Sequence, residues 1–263
     1  MRRSLMRAVG RGALLAAALS MAAAPLRAEP RVGRPFHWTG ALKPGQKLTV
    51  HGINGVIHAE RASGAEVVVD AEKHGRHDDP DRVEIQVERE ANGVKICARY
   101  PSLWGNGLTD CDGLSDTKSD VTVDFTVEIP AGVEANLATV NGEIRALDLQ
   151  SPIDARTVNG SIHLATSERA DARTVNGTIV ARAVPRGQAG MRFATVNGAI
   201  RLDLPPQTQA DISAHTVNGD IRSDFPVTIH AGWVGRRVEG HIGQGGPEIV
   251  MSTVNGSIEL RSD

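Results

Sequence analysis

Three groups of side chains have the types and spacing that chemistry would need. The first is an acidic stretch, Asp110, Asp112, Gly113, Asp116 and Asp120 beside Asn106, and clustered oxygen ligands suit calcium. Its spacing lacks the full alternating run of a calcium loop, so a solvated loop is expected. The second is His74, His77, Asp78 and Asp79 within Lys73–Asp81. Imidazole and carboxylate could ligate a metal, but a charged turn closed by Pro80 accounts for them more simply. The third is Cys97 with Cys111, the only two cysteines. Two cysteines make no zinc signature, and in an exported chain such a pair is expected to be a disulfide. It would close the Pro101 to Asp110 loop, which carries Trp104, Gly105 and Gly107, a constraint worth roughly 3 kcal/mol on the chain-entropy view.

Hydrolytic chemistry needs a nucleophile with a base, or two carboxylates across a groove. The chain has no Gly-x-Ser-x-Gly, no zinc-protease helix motif and no phosphate-binding glycine loop. No catalytic, cofactor-binding or metal residue is therefore assigned, and no cofactor is expected.

The dominant pattern is a repeat. Thr-Val-Asn-Gly occurs six times, at 139–142, 157–160, 174–177, 195–198, 216–219 and 253–256. Steps between its asparagines are 18, 17, 21, 21 and 37 residues. Val238-Glu239-Gly240-His241-Ile242 reads as a degenerate copy that divides the last step, and Ile53-Asn54-Gly55-Val56-Ile57 as an isolated first copy. The recurring set is Val140, Asn141, Gly142 and Ile144; Val158, Asn159, Gly160 and Ile162; Val175, Asn176, Gly177 and Ile179; Val196, Asn197, Gly198 and Ile200; Val217, Asn218, Gly219 and Ile221; and Val254, Asn255, Gly256 and Ile258. Self-similarity at a period near 20 residues marks stacked structural units.

Asn-Gly between β-branched residues is a hairpin signal. A two-residue hairpin, however, would put the valine and isoleucine of one copy on opposite faces. If the chain instead runs through Asn-Gly in an extended path, valine, glycine and isoleucine share one face, with threonine and asparagine on the other. The second reading gathers the apolar positions on one inner wall, and it is the one expected. Glycine would then serve either a positive φ or a close backbone approach.

The fold class expected is all-β, a β-solenoid or β-helix-like stack of short repeats, with an N-terminal β region that leads into it or caps it. Seven consecutive rungs about 4.8 Å apart would stand roughly 30 Å tall. An antiparallel β-sandwich of hairpins is the alternative. The repeated threonines and asparagines could offer hydroxyls and amides to a sugar, but a ladder of side chains holding the rungs together is the expected use. The positions four past each asparagine, Arg145, His163, Val180, Arg201, Arg222, Gly243 and Glu259, read as a varied exposed face.

Along the chain, residues 1–28 read as a signal peptide. Arg2, Arg3, Arg7 and Arg11 precede an apolar run from Ala13 to Ala24, and Leu26-Arg27-Ala28 offers a cleavage site before Glu29. The run is too short to span a bilayer comfortably. Residues 1–28 hold five of the 29 basic residues and none of the 31 acidic ones, which leaves 24 against 31 and a net charge near −7 for a mature chain of 235 residues. Such a balance argues against a nucleic-acid partner. Residues 29–130 read as an N-terminal β region continuous with the repeats. Its clearest strand is Val121, Val123, Phe125, Val127 and Ile129, alternating with polar residues before Pro130. Residues 131–263 form the repeat unit.

Recurrent Val-Asn-Gly-x-Ile units, an alternating strand ending Val127-Glu128-Ile129-Pro130-Ala131-Gly132 and an export signal together resemble the bacterial putative adhesin family of β-strand-repeat proteins of unknown function. The resemblance covers most of residues 45–262. It implies a β-helix-like fold, an envelope or surface location and a link of some relatives to envelope stress, and it carries no catalytic residues. The resulting expectation is a non-enzymatic exported envelope protein, periplasmic or secreted, that binds an envelope protein or glycan. The alternatives are a polysaccharide-acting enzyme with a site across rungs and a regulatory partner in envelope stress.

Overall fold

The computed structural model describes residues 31–102, 107–111, 117–184, 189–227, 229–231 and 235–263. The expected signal peptide, and Trp104, Gly105, Asn106, Asp112, Gly113 and Asp116 of the two loops, lie outside the described residues. The chain is all-β, built as two mixed sheets around one apolar cluster. In the first sheet the strands Ile57–Arg61, Ile144–Leu149, Ile162–Thr166, Ile179–Ala183, Ile200–Leu204, Ile258–Ser262 and Ile221–Ser223 lie side by side in parallel. In the second the parallel neighbours are Lys47–His51, Glu134–Ala138, Ile153–Arg156, Ala170–Arg173, Met191–Ala194, Glu248–Asn255 and Ala210–Asn218. The chain passes from the second sheet to the first through each Val-Asn-Gly, so the motif is a corner and not a hairpin. Two mixed sheets fit the sandwich-like alternative, with the repeat strands parallel within each sheet rather than paired as antiparallel hairpins.

The isoleucines after the corners stand in one row, Ile57, Ile144, Ile162, Ile179, Ile200, Ile258 and Ile221, and all are buried. Burying a side chain of this size contributes roughly 1.5–3 kcal/mol. The other half of the expected inner wall holds only at its start, where Ile53 is buried and Val140 packs against the core. Thr139, Thr157, Thr174, Thr195, Thr216 and Thr253 are buried, whereas Val175, Val196 and Val254 are 39–40 % exposed. In an unbroken extended path Thr157 and Ile162, five residues apart, would face opposite ways. Both face inward because the chain turns from one sheet to the other between them, and each sheet keeps its own inner face.

The corner glycines owe their identity to close approach. Of the glycines at the corners only Gly55 has a positive φ, 125°. A Cβ on Gly160 would instead land on the carbonyl oxygen of Gly142, and the same holds for Gly177 over Gly160 and for Gly198 over Gly177. Glycine lets successive backbones stack at this point.

Two departures concern order. The C-terminal copy does not stack last: Glu248–Asn255 lies between Met191–Ala194 and Ala210–Asn218, and Ile258–Ser262 lies between Ile200–Leu204 and Ile221–Ser223. The stretch Val238–Ile242 is not a corner between the two sheets. It belongs to the strand Arg236–Ile242, which runs antiparallel to Ala210–Thr216 with Gly240 opposite Ile212. Glu239 has no side-chain amide with which to extend an asparagine ladder.

Both ends of the stack are closed on at least one sheet by antiparallel strands. At the N-terminal end Thr122–Ile129 lies parallel to Ile57–Arg61 and is followed outward by Glu66–Gly75, with which both Phe36–Ala41 and Arg31–Val32 pair. On the second sheet Gly93–Arg99 and then Glu84–Glu90 lie beyond Lys47–His51. At the far end Arg236–Ile242 and Ile229–Ala231 cover the second sheet. Such cover shields a sheet edge from further pairing.

Candidate functional site

The repeated polar residues hold the fold together. Each asparagine amide donates to the side-chain oxygen of its neighbour in the stack: Asn141 to Asn54 at 2.9 Å, Asn159 to Asn141 at 2.8 Å, Asn176 to Asn159 at 2.9 Å and Asn197 to Asn176 at 2.8 Å. Asn255 then donates to Asn197 at 2.7 Å and Asn218 to Asn255 at 2.8 Å. Inside the corner, threonine hydroxyls donate to glycine carbonyls of the adjacent copy, Thr157 to Gly142 and Thr174 to Gly160 at 2.9 Å, Thr195 to Gly177 at 3.0 Å. A buried hydroxyl without a partner is costly, so these bonds explain how threonine enters the interior.

The ladder begins against the disulfide-bearing segment. Cys97 and Cys111 are bonded, with Cα atoms 5.6 Å apart. Tyr100, the residue after the strand Gly93–Arg99, is buried and donates its hydroxyl to the Asn54 carbonyl at 3.1 Å. Burial pushes its phenol well above the usual range. The Asn54 amide donates to the Ser119 carbonyl at 3.2 Å. Beside the disulfide a groove of about 230 Å³ opens on the outer face of the second sheet, with Asn136, Ala138, Arg156 and Val158 along one side and Asp110 and the disulfide along the other. His51 also lines it and contacts the Cys111 carbonyl through Nδ1 at 3.1 Å. The volume lies below the roughly 300–1,000 Å³ of drug-sized ligand sites, and fits one side chain or one ring. Sequence reading missed this groove because its walls come from segments far apart in the chain.

Farther along the same face, parallel register sets Asp154 beside Asp171 and Arg156 beside Arg173. Arg156 pairs with Asp154 at 2.7 Å and Arg173 with Asp171 at 2.6 Å. Burial, more than the neighbouring charges, raises the Asp171 carboxyl above its ordinary value. One oxygen of each aspartate, Oδ1, is buried with no hydrogen-bond partner among the described residues.

The other sequence candidates separate. His77 and Asp78 meet Asp120: the His77 ring lies 2.7 Å from Asp120, and the Asp78 backbone N–H donates to it at 3.1 Å. These contacts lower the Asp120 carboxyl, the Asp78 N–H most strongly. Asp79 caps the turn by accepting from the Asp81 N–H at 3.0 Å, and His74 pairs with Glu72 at 3.6 Å. Asp110 lies at the groove, away from that cluster. Among the described residues no three His, Cys, Asp or Glu side chains converge as a metal site. Arg145, His163, Val180, Arg201, Glu259 and Arg222 form one row across the first sheet, where Arg201 pairs with Glu259 at 3.5 Å. Gly243 sits apart, at the end of the antiparallel strand.

No protein-family model matches this chain, and no curated protein matches it. Among solved structures it is similar to a putative cell adhesion protein from Clostridium sporogenes, with 11 % identity and a TM-score of 0.42 over 88 % of this chain and 100 % of that one. It is also similar to a putative adhesin from Bacteroides fragilis, with 10 % identity and a TM-score of 0.31 over 86 % and 97 % of the two chains. A putative lipid binding protein from Parabacteroides distasonis aligns with 13 % identity and a TM-score of 0.27 over 87 % and 97 %.

Proposed function

We propose that this chain is a non-enzymatic exported envelope protein, a rigid β-solenoid that displays its outer faces and the disulfide-side groove to an envelope protein or glycan. The observation that carries the reading is the use of every repeat threonine and asparagine in bonds between copies, which leaves recognition to the varied outward residues. In-register parallel pairing through seven asparagines supports the solenoid. The disulfide supports an oxidising compartment, in keeping with removal of residues 1–28 as a signal peptide. No helix among the described residues is long and apolar enough to cross a membrane.

The test is affinity capture from envelope extract with the mature chain, with Val158→Trp, which fills the groove, and with Val254→Trp on a distant corner. The reading expects a protein or glycan retained by wild type and Val254→Trp and lost with Val158→Trp. Equal recovery by all three would exclude the groove, and recovery of nothing by wild type would remove the binding role.

One observation favours the polysaccharide-acting alternative, the adjacent carboxyls of Asp154 and Asp171 on neighbouring strands with Asp171 raised by burial. Release of reducing ends from envelope glycans by wild type and not by Asp171→Asn would establish it.

A further inference from the structure

The asparagine ladder has two unlike ends. At its start, Asn54 is held by the Ser119 carbonyl and by Tyr100. At its other end stands Asn218, which donates to Asn255 and accepts from no side chain among the described residues. The glycine that follows it is the more telling difference. Every earlier corner glycine is fastened at both of its polar groups. The Gly160 N–H donates to the Asn176 carbonyl at 3.0 Å, and its own carbonyl accepts from Thr174 at 2.9 Å. Gly198 is held in the same way by the Asn255 carbonyl at 3.0 Å and by Thr253 at 3.0 Å, and Gly256 by Asn218 at 3.0 Å and Thr216 at 2.8 Å. Gly219 has neither bond among the described residues. It is also exposed, where Gly55, Gly142, Gly160, Gly177, Gly198 and Gly256 are half-buried.

Asn-Gly has a characteristic reaction. The glycine nitrogen attacks the asparagine side-chain carbonyl carbon, and the absence of a Cβ on glycine leaves the approach open. A locked glycine cannot swing its nitrogen onto that carbon, nor can an asparagine whose amide is tied on both sides. We infer that Asn218-Gly219 is a spontaneous modification site, the one corner of this ladder that deamidates while the protein is folded. The Gly219 nitrogen bonds to Cγ of Asn218 as the bond from Cγ to Nδ2 breaks, and the glycine N–H proton leaves with that nitrogen as ammonia. Water then opens the five-membered imide at either carbonyl, giving aspartate or isoaspartate. One water is consumed and one ammonia released, with no oxidant or reductant.

The product acts on the fold. A carboxylate at this position no longer donates to the Asn255 oxygen, and it adds negative charge two residues from Asp220, whose partner is Arg236 at 3.0 Å. The Ile221–Ser223 strand, paired on one side only, is then held less firmly, so the stack loosens with age from this end.

The experiment holds the full folded chain in mildly alkaline heavy-oxygen water and maps label uptake by peptide mass spectrometry, with a urea-unfolded sample beside it. Each ~1.4 kcal/mol of local opening that a reaction requires slows it about tenfold. The folded chain is expected to label Asn218 at least about tenfold faster than Asn141, Asn159, Asn176, Asn197 and Asn255, with the six reacting at similar rates when unfolded. Uniform labelling of the folded ladder, faster labelling at another corner, or labelling only in the unfolded sample would each overturn the inference.

Discussion

Thr157 Oγ1 donates to the carbonyl oxygen of Gly142 at 2.9 Å, fifteen residues back in sequence and one strand away in the stack. The contact joins the two features that make a corner possible: a hydroxyl turned inward, and a glycine so close to its neighbour that no side chain fits.

The inward hydroxyl is separable from the outward valine. Thr174→Val keeps the shape but removes the bond to Gly160, and should cost about 1 kcal/mol. Val175→Thr, on a side chain 39 % exposed, should stay within about 0.5 kcal/mol of wild type. Urea unfolding of the two variants decides the matter, and the reverse ranking would restore the valine face to the interior.

Close backbone approach predicts an asymmetry between glycines. Gly160→Ala drives a methyl into the Gly142 carbonyl, whereas Gly64 has nothing within 4 Å of an added Cβ. Gly160→Ala should destabilise by about 1–3 kcal/mol or more, and Gly64→Ala should leave the melting temperature nearly unchanged. Equal effects would mean that the corner tolerates a side chain.

The isoleucine row predicts failure of the core when a charge is placed in it. Ile144 is fully buried between Ile57 and Ile162, so Ile144→Asp should cost at least about 3–5 kcal/mol and abolish the cooperative thermal transition seen by circular dichroism. A variant melting like wild type would place Ile144 outside the core.

Acid sensitivity should trace in part to Asp120. Its folded carboxyl is more acidic than its unfolded one because the Asp78 N–H, and then His77, bind the charged form. The stabilisation is therefore complete above the unfolded value of about 3.9 and is lost as pH falls through the folded value. Asp120→Asn should melt below wild type at neutral pH, with the gap closing as pH drops below about 4. A gap that persists unchanged in acid would mean that the charge is not what matters.

Much of this architecture was legible in residue types. β-branched residues around Asn-Gly announced strands, the alternation from Val121 to Ile129 matched the strand Thr122–Ile129, and the two cysteines paired. The inward threonine was not legible, because alternation counts faces along a straight strand and cannot carry them around a corner. The place of the C-terminal copy was hidden for a different reason. Near-identical copies offer equivalent partners, so the motif cannot say which copy sits beside which; here the antiparallel strand Arg236–Ile242 takes the outer edge of Ala210–Thr216 and leaves the inner edge to Glu248–Asn255. The groove and the His77–Asp120 contact join segments tens of residues apart, with no local pattern to announce them.

The stacking order can be read by nuclear magnetic resonance, from scalar couplings between an amide nitrogen and the carbonyl carbon that accepts its hydrogen bond. In isotope-labelled protein, Gly198 should couple to the Asn255 carbonyl and Gly256 to the Asn218 carbonyl, as their 3.0 Å bonds require. A coupling from Gly198 to the Asn218 carbonyl would show copies stacked in sequence order and contradict the inserted C-terminal strand pair.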